Sequence, residues 1–218
     1  MPLTLTLNKI SKTYDDELIL SGLSYTFNEG GTHILMGSNG CGKSTLLRIC
    51  ALLEQPDAGT LVFSASGKGE LPQDLSLRRR ITLVLPKVGV FNGTVFNNVA
   101  YGLKIRGIAK DEKTERVGKM LKFTGLENKR TQNALTLSSG EAQRLGIGRA
   151  LVIEPDLLLL DEPTASIDNK NRELIETMIL QMKEIGRTTI IMTTHDNSQA
   201  ERLSKKLILM KNGRISLS

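Results

Sequence analysis

A glycine-rich stretch, GSNGCGKST at residues 37–45, carries residue types that bind phosphate groups. Its glycines allow the backbone to turn so tightly that successive N–H groups face an anion. Lys43 is long enough to reach the β- and γ-phosphates of a nucleotide, and the Ser44 hydroxyl can ligate Mg²⁺. The stretch lies between a strand pattern and a helix pattern, which is the context that this chemistry needs. We therefore predict a nucleotide-phosphate site formed by Gly37, Ser38, Asn39, Gly40, Cys41, Gly42, Lys43, Ser44 and Thr45.

Two acidic residues and a histidine follow other apolar strand patterns. LLLLDEP at 157–163 places Asp161 and Glu162 at the end of one strand, and TTHD places His195 at the end of another. In parallel sheets these ends share the edge where ligands bind. Asp161 is then a candidate Mg²⁺ ligand, Glu162 can accept a proton from an attacking water, and His195 could contact a γ-phosphate. Alone, the acids would be read as a strand end and the histidine as structural. Together with the phosphate loop, or P-loop, they predict a Mg²⁺-dependent P-loop nucleotidase, built on a P-loop NTPase core.

The segments that must position these residues alternate between strand and helix patterns. Nearly all-apolar strands separated by helices predict a mostly parallel α/β sheet, preceded by antiparallel strands that meet in a turn at 14–17. Asn-Gly at 212–213 predicts a hairpin within 206–218. The predicted strands are 3–10, 18–27, 32–37, 59–63, 81–85, 156–161 and 188–194, and the predicted helices are 43–54, 94–107, 111–126, 144–152 and about 168–185.

Length and composition limit the alternatives. A chain of 218 residues can bury a sizeable core, and we expect one domain, 1–218, with its core at 1–88 and 151–218 and a helical subdomain at about 89–150. The net charge of +6 permits contact with nucleic acid or anionic lipid, but only LRRRI at 77–81 is a basic cluster, so a solvated surface is the preferred interpretation. We expect a soluble protein of a reducing cytoplasm, because the two cysteines lack metal spacing and no apolar run could span a bilayer.

A second run of small residues, LSSGEAQRL, lies at 137–145. With GSNGCGKST, LLLLDEP, ASID and TTHD it forms a set of five motifs. In order and separation, the set resembles that of the ABC-type ATPases, over essentially the whole chain. The resemblance implies a homodimer in which two chains pair head to tail, so that Ser138, Ser139, Gly140 and Glu141 close over the γ-phosphate held by the other chain. Ser139 and Glu141 depart from the family pattern, which has glycine and glutamine there. An ordinary helix N-cap, S-x-x-E, also describes the run, and we expect both descriptions to hold.

The resemblance extends to further residues. It implies that Tyr14 stacks on adenine, although a turn tyrosine is the alternative, and that Asp168 in ASID is a dimer contact. It implies that Asp161 binds Mg²⁺, that Glu162 is the catalytic base and that His195 contacts the γ-phosphate. The expected cofactors are therefore ATP and Mg²⁺.

One departure from the family pattern concerns hydrolysis and its coupling. Family members place a glutamine after the strand that ITLVL resembles, where it touches Mg²⁺ and the attacking water and relays the state of the site to a membrane partner. Here Pro86 stands at that point, and no glutamine lies between Arg78 and Phe91. Proline brings no oxygen ligand and no N–H. We expect nucleotide binding to be kept, and the rate or the coupling of hydrolysis to change.

The implied function is that of an ATP-hydrolysing transporter subunit at the cytoplasmic face of the cell membrane. Its partners would be integral membrane permease subunits, docked near 86–105, and indirectly an extracytoplasmic solute-binding protein. RRRITLV at 78–84 and FNGTVFNNVAYGLKIRGI at 91–108 most resemble importers of tungstate and related oxyanions. The alternatives are an ABC ATPase for another solute, one that acts on DNA or ribosomes, and a clamp that does not turn over ATP. A single cassette without a heptad run disfavours the DNA and ribosome class, so no nucleic acid partner is expected.

Overall fold

The computed structural model describes residues 1–204 and 207–217. Two sheets organise it: a six-stranded sheet in the order β10-β9-β3-β8-β7-β6, and a four-stranded sheet in the order β2-β1-β4-β5. The strands are β1 Thr4–Tyr14, β2 Glu17–Phe27, β3 Thr32–Met36, β4 Ala58–Ala65, β5 Gly69–Leu71, β6 Ile81–Val84, β7 Leu157–Leu160, β8 Thr189–Thr194, β9 Leu207–Lys211 and β10 Arg214–Leu217. The helices are α1 Lys43–Cys50, α2 Leu75–Arg78, α3 Val95–Ile105, α4 Lys110–Phe123, α5 Ser139–Leu151, α6 Asn169–Ile185 and α7 Asn197–Leu203.

The strands from β9 to β6 in the larger sheet are parallel, and β10 is antiparallel. The smaller sheet is antiparallel throughout. The predicted mostly parallel α/β sheet with N-terminal antiparallel strands is therefore confirmed. Its consequence for the site is that β3, β6, β7 and β8 all end at one edge.

The strand β7 shows why the larger sheet is buried on both faces. Leu157 and Leu159 pack with the smaller sheet and α1, whereas Leu158 and Leu160 pack with α5, α6 and α7. All four side chains are fully buried, each worth roughly 1.5–3 kcal/mol of transfer free energy. A strand held on both faces is a rigid support for the polar residues that follow it.

The helices α3, α4 and α5 enclose a separate cluster of apolar side chains, which includes Val99, Leu103, Val117, Leu121 and Leu145. The helix α5 also contributes its C-terminal half to the core beneath the larger sheet. A helical subdomain at about 89–150 stays a prediction, and this separate cluster supports it.

Several predicted boundaries shift. The helix predicted at 43–54 ends at Cys50, and Leu52 just beyond it has a left-handed backbone (φ 57°). The first two strands run up to Asp15 and Asp16, whose positive φ values (44° and 67°) form a two-residue turn, tighter than the predicted one. The hairpin at Asn212-Gly213 is confirmed for 207–217; residues 206 and 218 lie outside the described residues. The short elements β5, α2 and α7 were not predicted.

Candidate functional site

The loop between β3 and α1 has the backbone that a phosphate cradle requires. Gly40 and Gly42 adopt positive φ values of 81° and 101°, a conformation that favours glycine. At Gly37 the reason for glycine is space, because a Cβ would collide with the backbone oxygen of Met210 on β9. Cys41 is buried within the same loop. Gly40 and Gly42 are therefore favoured by their left-handed backbone conformation, and Gly37 is required because there is no space for a side chain.

Lys43, at the start of α1, is held inside this loop. Its Nζ donates hydrogen bonds to the carbonyl oxygens of Gly37 (2.8 Å) and Ser38 (3.1 Å). It also lies 3.5 Å from Oε1 of Glu162, and the lysine side chain is only 5% exposed. Ser44 is exposed, whereas Thr45 is buried and its hydroxyl accepts a hydrogen bond from Arg48 (3.3 Å). The ammonium is therefore already inside the cradle, where an incoming phosphate would replace the carbonyl oxygens.

The carboxyl ends of β7 and β8 bring the predicted acids and histidine together. Asp161 is buried (3% exposed) and accepts a hydrogen bond from the hydroxyl of Thr193 (2.8 Å). Glu162 lies between two groups, since its Oε2 is 3.1 Å from Nδ1 of His195 and its Oε1 faces Lys43. Asn39 of the loop lines the same cavity of about 310 Å³ as Glu162 and His195. The structure thus assembles at one edge the residues predicted to perform hydrolysis.

Thr193, which the sequence analysis missed, holds both acids in place. Besides its bond to Asp161, its oxygen accepts a hydrogen bond from the backbone N–H of Glu162 (2.9 Å). Glu162 has a φ of 43°, a left-handed conformation that is strained for a glutamate and that persists only where neighbours fix it. A hydroxyl near the end of an apolar strand, two residues before His195, was the available sequence clue.

The oxygen donors at this edge suit Mg²⁺. The carboxylate of Asp161 and the hydroxyl of Ser44 are hard ligands, and Mg²⁺ is commonly held by one or two protein oxygens together with nucleotide phosphates. Within the described residues, no group of three or more His, Cys, Asp or Glu side chains forms a metal site by itself. The residues therefore fit a metal that arrives with the nucleotide.

The run at 137–145 begins α5 with a capping box. Ser138 is the N-cap: its hydroxyl accepts from the N–H of Glu141 (3.3 Å), and the Glu141 carboxylate accepts from the N–H of Ser138 (3.1 Å). A hydrogen bond from Lys129 (2.9 Å) lowers the pKa of Glu141 below its usual value. Ser139 is exposed and Gly140 is buried. The N-cap description is confirmed; contact with a phosphate of another chain stays a prediction.

Asp168 and Tyr14 occupy two further positions. Asp168 caps α6 and accepts the backbone N–H of Asn171 (2.9 Å), and this bond is the main cause of its lowered pKa. Tyr14 ends β1, is 37% exposed and donates its hydroxyl to Glu54, which follows α1. Lys12 lies 5.6 Å from the centre of the tyrosine ring. The ring is therefore oriented by Glu54, a contact between residues 40 positions apart.

The predicted site residues do not all meet. Among the described residues, the hydrogen bonds and ion pairs of 138–141 stay within α5 and its helical surroundings, and none reaches 37–45. A single chain thus presents two separate groups of nucleotide-binding candidates.

An apolar groove lies beside Pro86, between the end of β6 and α3. Leu85, Tyr101 and Ile105 are 49%, 46% and 65% exposed, and the groove has a volume of about 350 Å³. On its wall, burial lowers the pKa of Arg149, whose guanidinium stacks 4.9 Å from the ring centre of Phe91. In the part of the chain that the structure describes, no helix is long and apolar enough to cross a membrane.

Comparisons with known proteins give consistent results. A model of the ABC transporter family matches residues 20–165. The tungstate uptake system ATP-binding protein TupC of Peptoclostridium acidaminophilum is 37% identical over 211 residues, 97% of this chain and 96% of TupC. The spermidine/putrescine import ATP-binding protein PotA of Spiroplasma citri is 39% identical over 213 residues, 97% of this chain but 60% of PotA. A dimeric, post-hydrolysis structure of the ATP-binding cassette MJ0796 with ADP and Pi superposes with a TM-score of 0.85 at 27% identity, over 97% of this chain and 96% of that one.

Proposed function

Since this chain belongs to the ABC transporter family and is an ATPase of that family, we propose that it energises the import of a solute through a separate membrane permease. The observation that carries the proposal is the cluster of Lys43, Glu162 and His195 at the edge of the larger sheet, beside the buried Asp161. A transporter ATP-binding subunit needs such a site, and its relatives include import proteins.

Hydrolysis would begin with an exchange of partners at Lys43. In the structure its Nζ is bound to two loop carbonyls and faces Glu162. On ATP binding, the ammonium would turn to the β- and γ-phosphates, and Glu162 would lose one of its two partners. Its carboxylate would then accept the proton of the attacking water, while His195 keeps hold of its other oxygen. Mg²⁺, held by Asp161 and Ser44, would neutralise phosphate charge.

The two groups of candidates are best explained by a head-to-tail homodimer. The first turn of α5 offers backbone N–H groups and the positive end of a helix dipole. Its described hydrogen bonds and ion pairs do not reach the phosphate loop of the same chain, which leaves this turn available to a phosphate held by a second copy. The structure of MJ0796 with ADP and Pi is dimeric, which supports a dimer as the functional state here.

The groove beside Pro86 is our proposed docking site for the permease, on the cytoplasmic face of the membrane. Its exposed Leu85, Tyr101 and Ile105 form an apolar surface that a soluble monomer would be expected to cover. The groove lies at the end of β6, one strand from Asp161, so a partner there would be close to the hydrolytic edge.

For the solute we propose tungstate or a related oxyanion. The sequence identities of TupC and PotA to this chain are similar, 37% and 39%, but the alignment covers 96% of TupC and only 60% of PotA. The motif similarity around 78–108 points in the same direction. Phosphate, polyamines and other solutes are the outcomes that an uptake assay would distinguish.

The test uses Glu162→Gln, which would hold ATP without hydrolysing it. In the first experiment, the variant is purified with ATP and Mg²⁺ from gently solubilised native membranes, and the proteins bound to it are identified. In the second, cells that carry only the variant are assayed for accumulation of tungstate, molybdate and phosphate by mass spectrometry. Glu154→Gln is the control, because that carboxylate is 80% exposed and its described ion pair is with Arg116, which is not a site residue. We expect Glu162→Gln to recover a multi-span permease and to lose tungstate accumulation. Recovery with ribosomes or DNA and without a permease would refute the transporter function, and unchanged oxyanion levels would refute the solute.

A further inference from the structure

The N-terminal halves of α5 and α6 are joined by one side chain, Asn171, which lies in the first turn of α6. Its Nδ2 donates to Oδ2 of Asp168 (2.6 Å), and its Oδ1 accepts from Nε of Arg144 (3.0 Å). Its backbone N–H also donates to Oδ1 of Asp168 (2.9 Å). The amide thus connects the N-cap of one helix with the body of the other.

An amide suits this connection because it carries a donor and an acceptor on one side chain. A carboxylate such as Asp168 accepts hydrogen bonds and cannot donate them, and a guanidinium such as Arg144 donates and cannot accept. The bridging side chain must therefore present a donor on one side and an acceptor on the other, over the length of a single residue. Asn171 provides both.

The Arg144 end of the link is firmly anchored. Its side chain is 7% exposed, and Nη1 donates to the backbone oxygens of Thr124 (2.5 Å) and Gly125 (3.2 Å) at the end of α4. Burial lowers the pKa of this guanidinium, and its Nε and Nη1 together donate to three oxygen atoms. A movement of Asn171 would therefore have to displace Arg144, which belongs to α5 and is bound to the end of α4.

Asn171 also touches the first turn of α5 directly. A Cβ at Gly140 would come within 2.7 Å of the Asn171 Cβ and still closer to its amide group. Glycine at 140 is therefore required by this side chain of its own chain, whatever else approaches it. The first turn of α5 cannot shift toward α6 without displacing Asn171.

We propose that Asn171 is a positioning residue that holds Asp168 and the first turn of α5 in a fixed relation, so that both can meet a second subunit at the same time. The inference rests on the proposed head-to-tail dimer. Because the described hydrogen bonds of the Asn171 side chain go to Asp168 and Arg144 and none goes to the phosphate loop, we expect it to act on dimer closure and not on ATP binding by the single chain.

The experiment measures these two steps separately in a Glu162→Gln background. Affinity for Mg-ATP is measured at protein concentrations where the chain is monomeric, and the dissociation constant of the ATP-bound dimer by analytical ultracentrifugation. We compare Asn171→Ala and Asn171→Asp with Asn169→Ala, an exposed asparagine at the start of the same helix. Asn171→Asp keeps the side-chain size and the acceptor for Arg144 but loses the donor to Asp168.

A symmetric dimer contains the link twice, so a loss of about fivefold per link becomes about 25-fold in the dimer dissociation constant. We expect that increase in both Asn171 variants, with ATP affinity of the monomer and the Asn169→Ala dimer unchanged. Unaltered ATP affinity also shows that the variants are folded. A normal dimer in either Asn171 variant, while the parent dimerises, would overturn the role of Asn171 alone. Failure of the Glu162→Gln parent to dimerise with ATP would overturn the proposed dimer, and this inference with it.

Discussion

Two threonines on β8 and β6, the strands on either side of β7, allow the same substitution to be tested in two different environments. Thr193, on β8, is fully buried and binds both acids of the site through one hydroxyl. Thr82, on β6, has a buried hydroxyl without a hydrogen-bond partner among the described residues. Valine keeps the branched shape and the strand preference of threonine and removes only the hydroxyl.

Thr193→Val removes a hydrogen bond to a buried carboxylate and leaves the N–H of Glu162 without an acceptor. A bond to a charged group contributes about 1.5–3 kcal/mol, and a buried donor left unpaired costs about 1–3 kcal/mol. Because the two losses share one atom and a methyl group gains transfer free energy, we expect a net loss of about 3 kcal/mol in the free energy of unfolding. For a chain of this size that corresponds to a fall of about 6–12 °C in melting temperature.

Thr82→Val removes a polar group that has no partner to lose. Burying a hydroxyl without a hydrogen bond is unfavourable, so its replacement by a methyl group should leave stability unchanged or raise it by about 1 kcal/mol. Calorimetry of the nucleotide-free protein measures both variants. Thr193→Val should also lower the hydrolysis rate, because Glu162 would lose the contact that fixes its strained backbone, whereas Thr82→Val should not. Equal melting temperatures for the two variants would refute the assignment of Thr193 as the support of the acids.

Three further predictions concern other parts of the chain. A thiol reagent should modify Cys41, which is 8% exposed in the phosphate loop, and so inactivate the ATPase, and ATP should slow this modification. Cys50 should resist, because it is fully buried and this burial raises its pKa to about 12. Mass spectrometry that finds full Cys41 modification with unchanged activity would contradict this. Burial of Glu176 raises its pKa, but the hydrogen bonds from Arg202 and Gln199 outweigh this effect, and the net pKa is lowered. The stability that Glu176 contributes is therefore present above the ordinary glutamate pKa, and it is lost as the pH falls through the lower pKa of the folded state. Glu176→Gln should therefore be less stable than the parent at pH 7, with a difference that narrows on acidification in urea titrations; the exposed Glu173→Gln is the control, and a pH-independent difference would count against the linkage. Pro86→Gln should raise the permease-stimulated hydrolysis rate, measured in reconstituted membranes beside the permease-free rate, and an unchanged stimulated rate would show that residue 86 does not couple the two.

The sequence was informative where one local pattern decides both structure and chemistry. Four leucines followed by Asp161 and Glu162 predict a buried strand that ends in acids, and the glycine pattern of 37–45 predicts a loop before a helix; the structure has both. The P-loop NTPase fold predicted from these motifs is confirmed by the likeness to MJ0796. Such features depend on residues within one short segment, and so composition and spacing reveal them.

Contacts between distant segments were not predictable in the same way. Thr193 reaches Asp161 across 32 residues, and Arg144 reaches Asn171 across 27, through hydrogen bonds that depend on how β8 and α6 pack. The short elements β5 and α2 were missed because three or four residues carry too little periodicity to distinguish from a loop. Local pattern therefore identified the groups that would perform chemistry, and the fold was needed to identify the groups that hold them.

The ends of the strands in the larger sheet differ in what they contribute to the coupling between the site and a permease. The ends of β3, β7 and β8 bring Lys43, the two acids and His195 to one edge, with their supporting contacts in place. The end of β6 brings Pro86, which has no side-chain oxygen to add to that cluster. If a permease occupies the groove beside it, the shortest route from partner to site runs along backbone, since the N–H of Asp161 donates to the oxygen of Val84 (2.9 Å). A displacement of β6 by the partner would then act on Asp161 through this hydrogen bond, without the side chain that the family pattern provides.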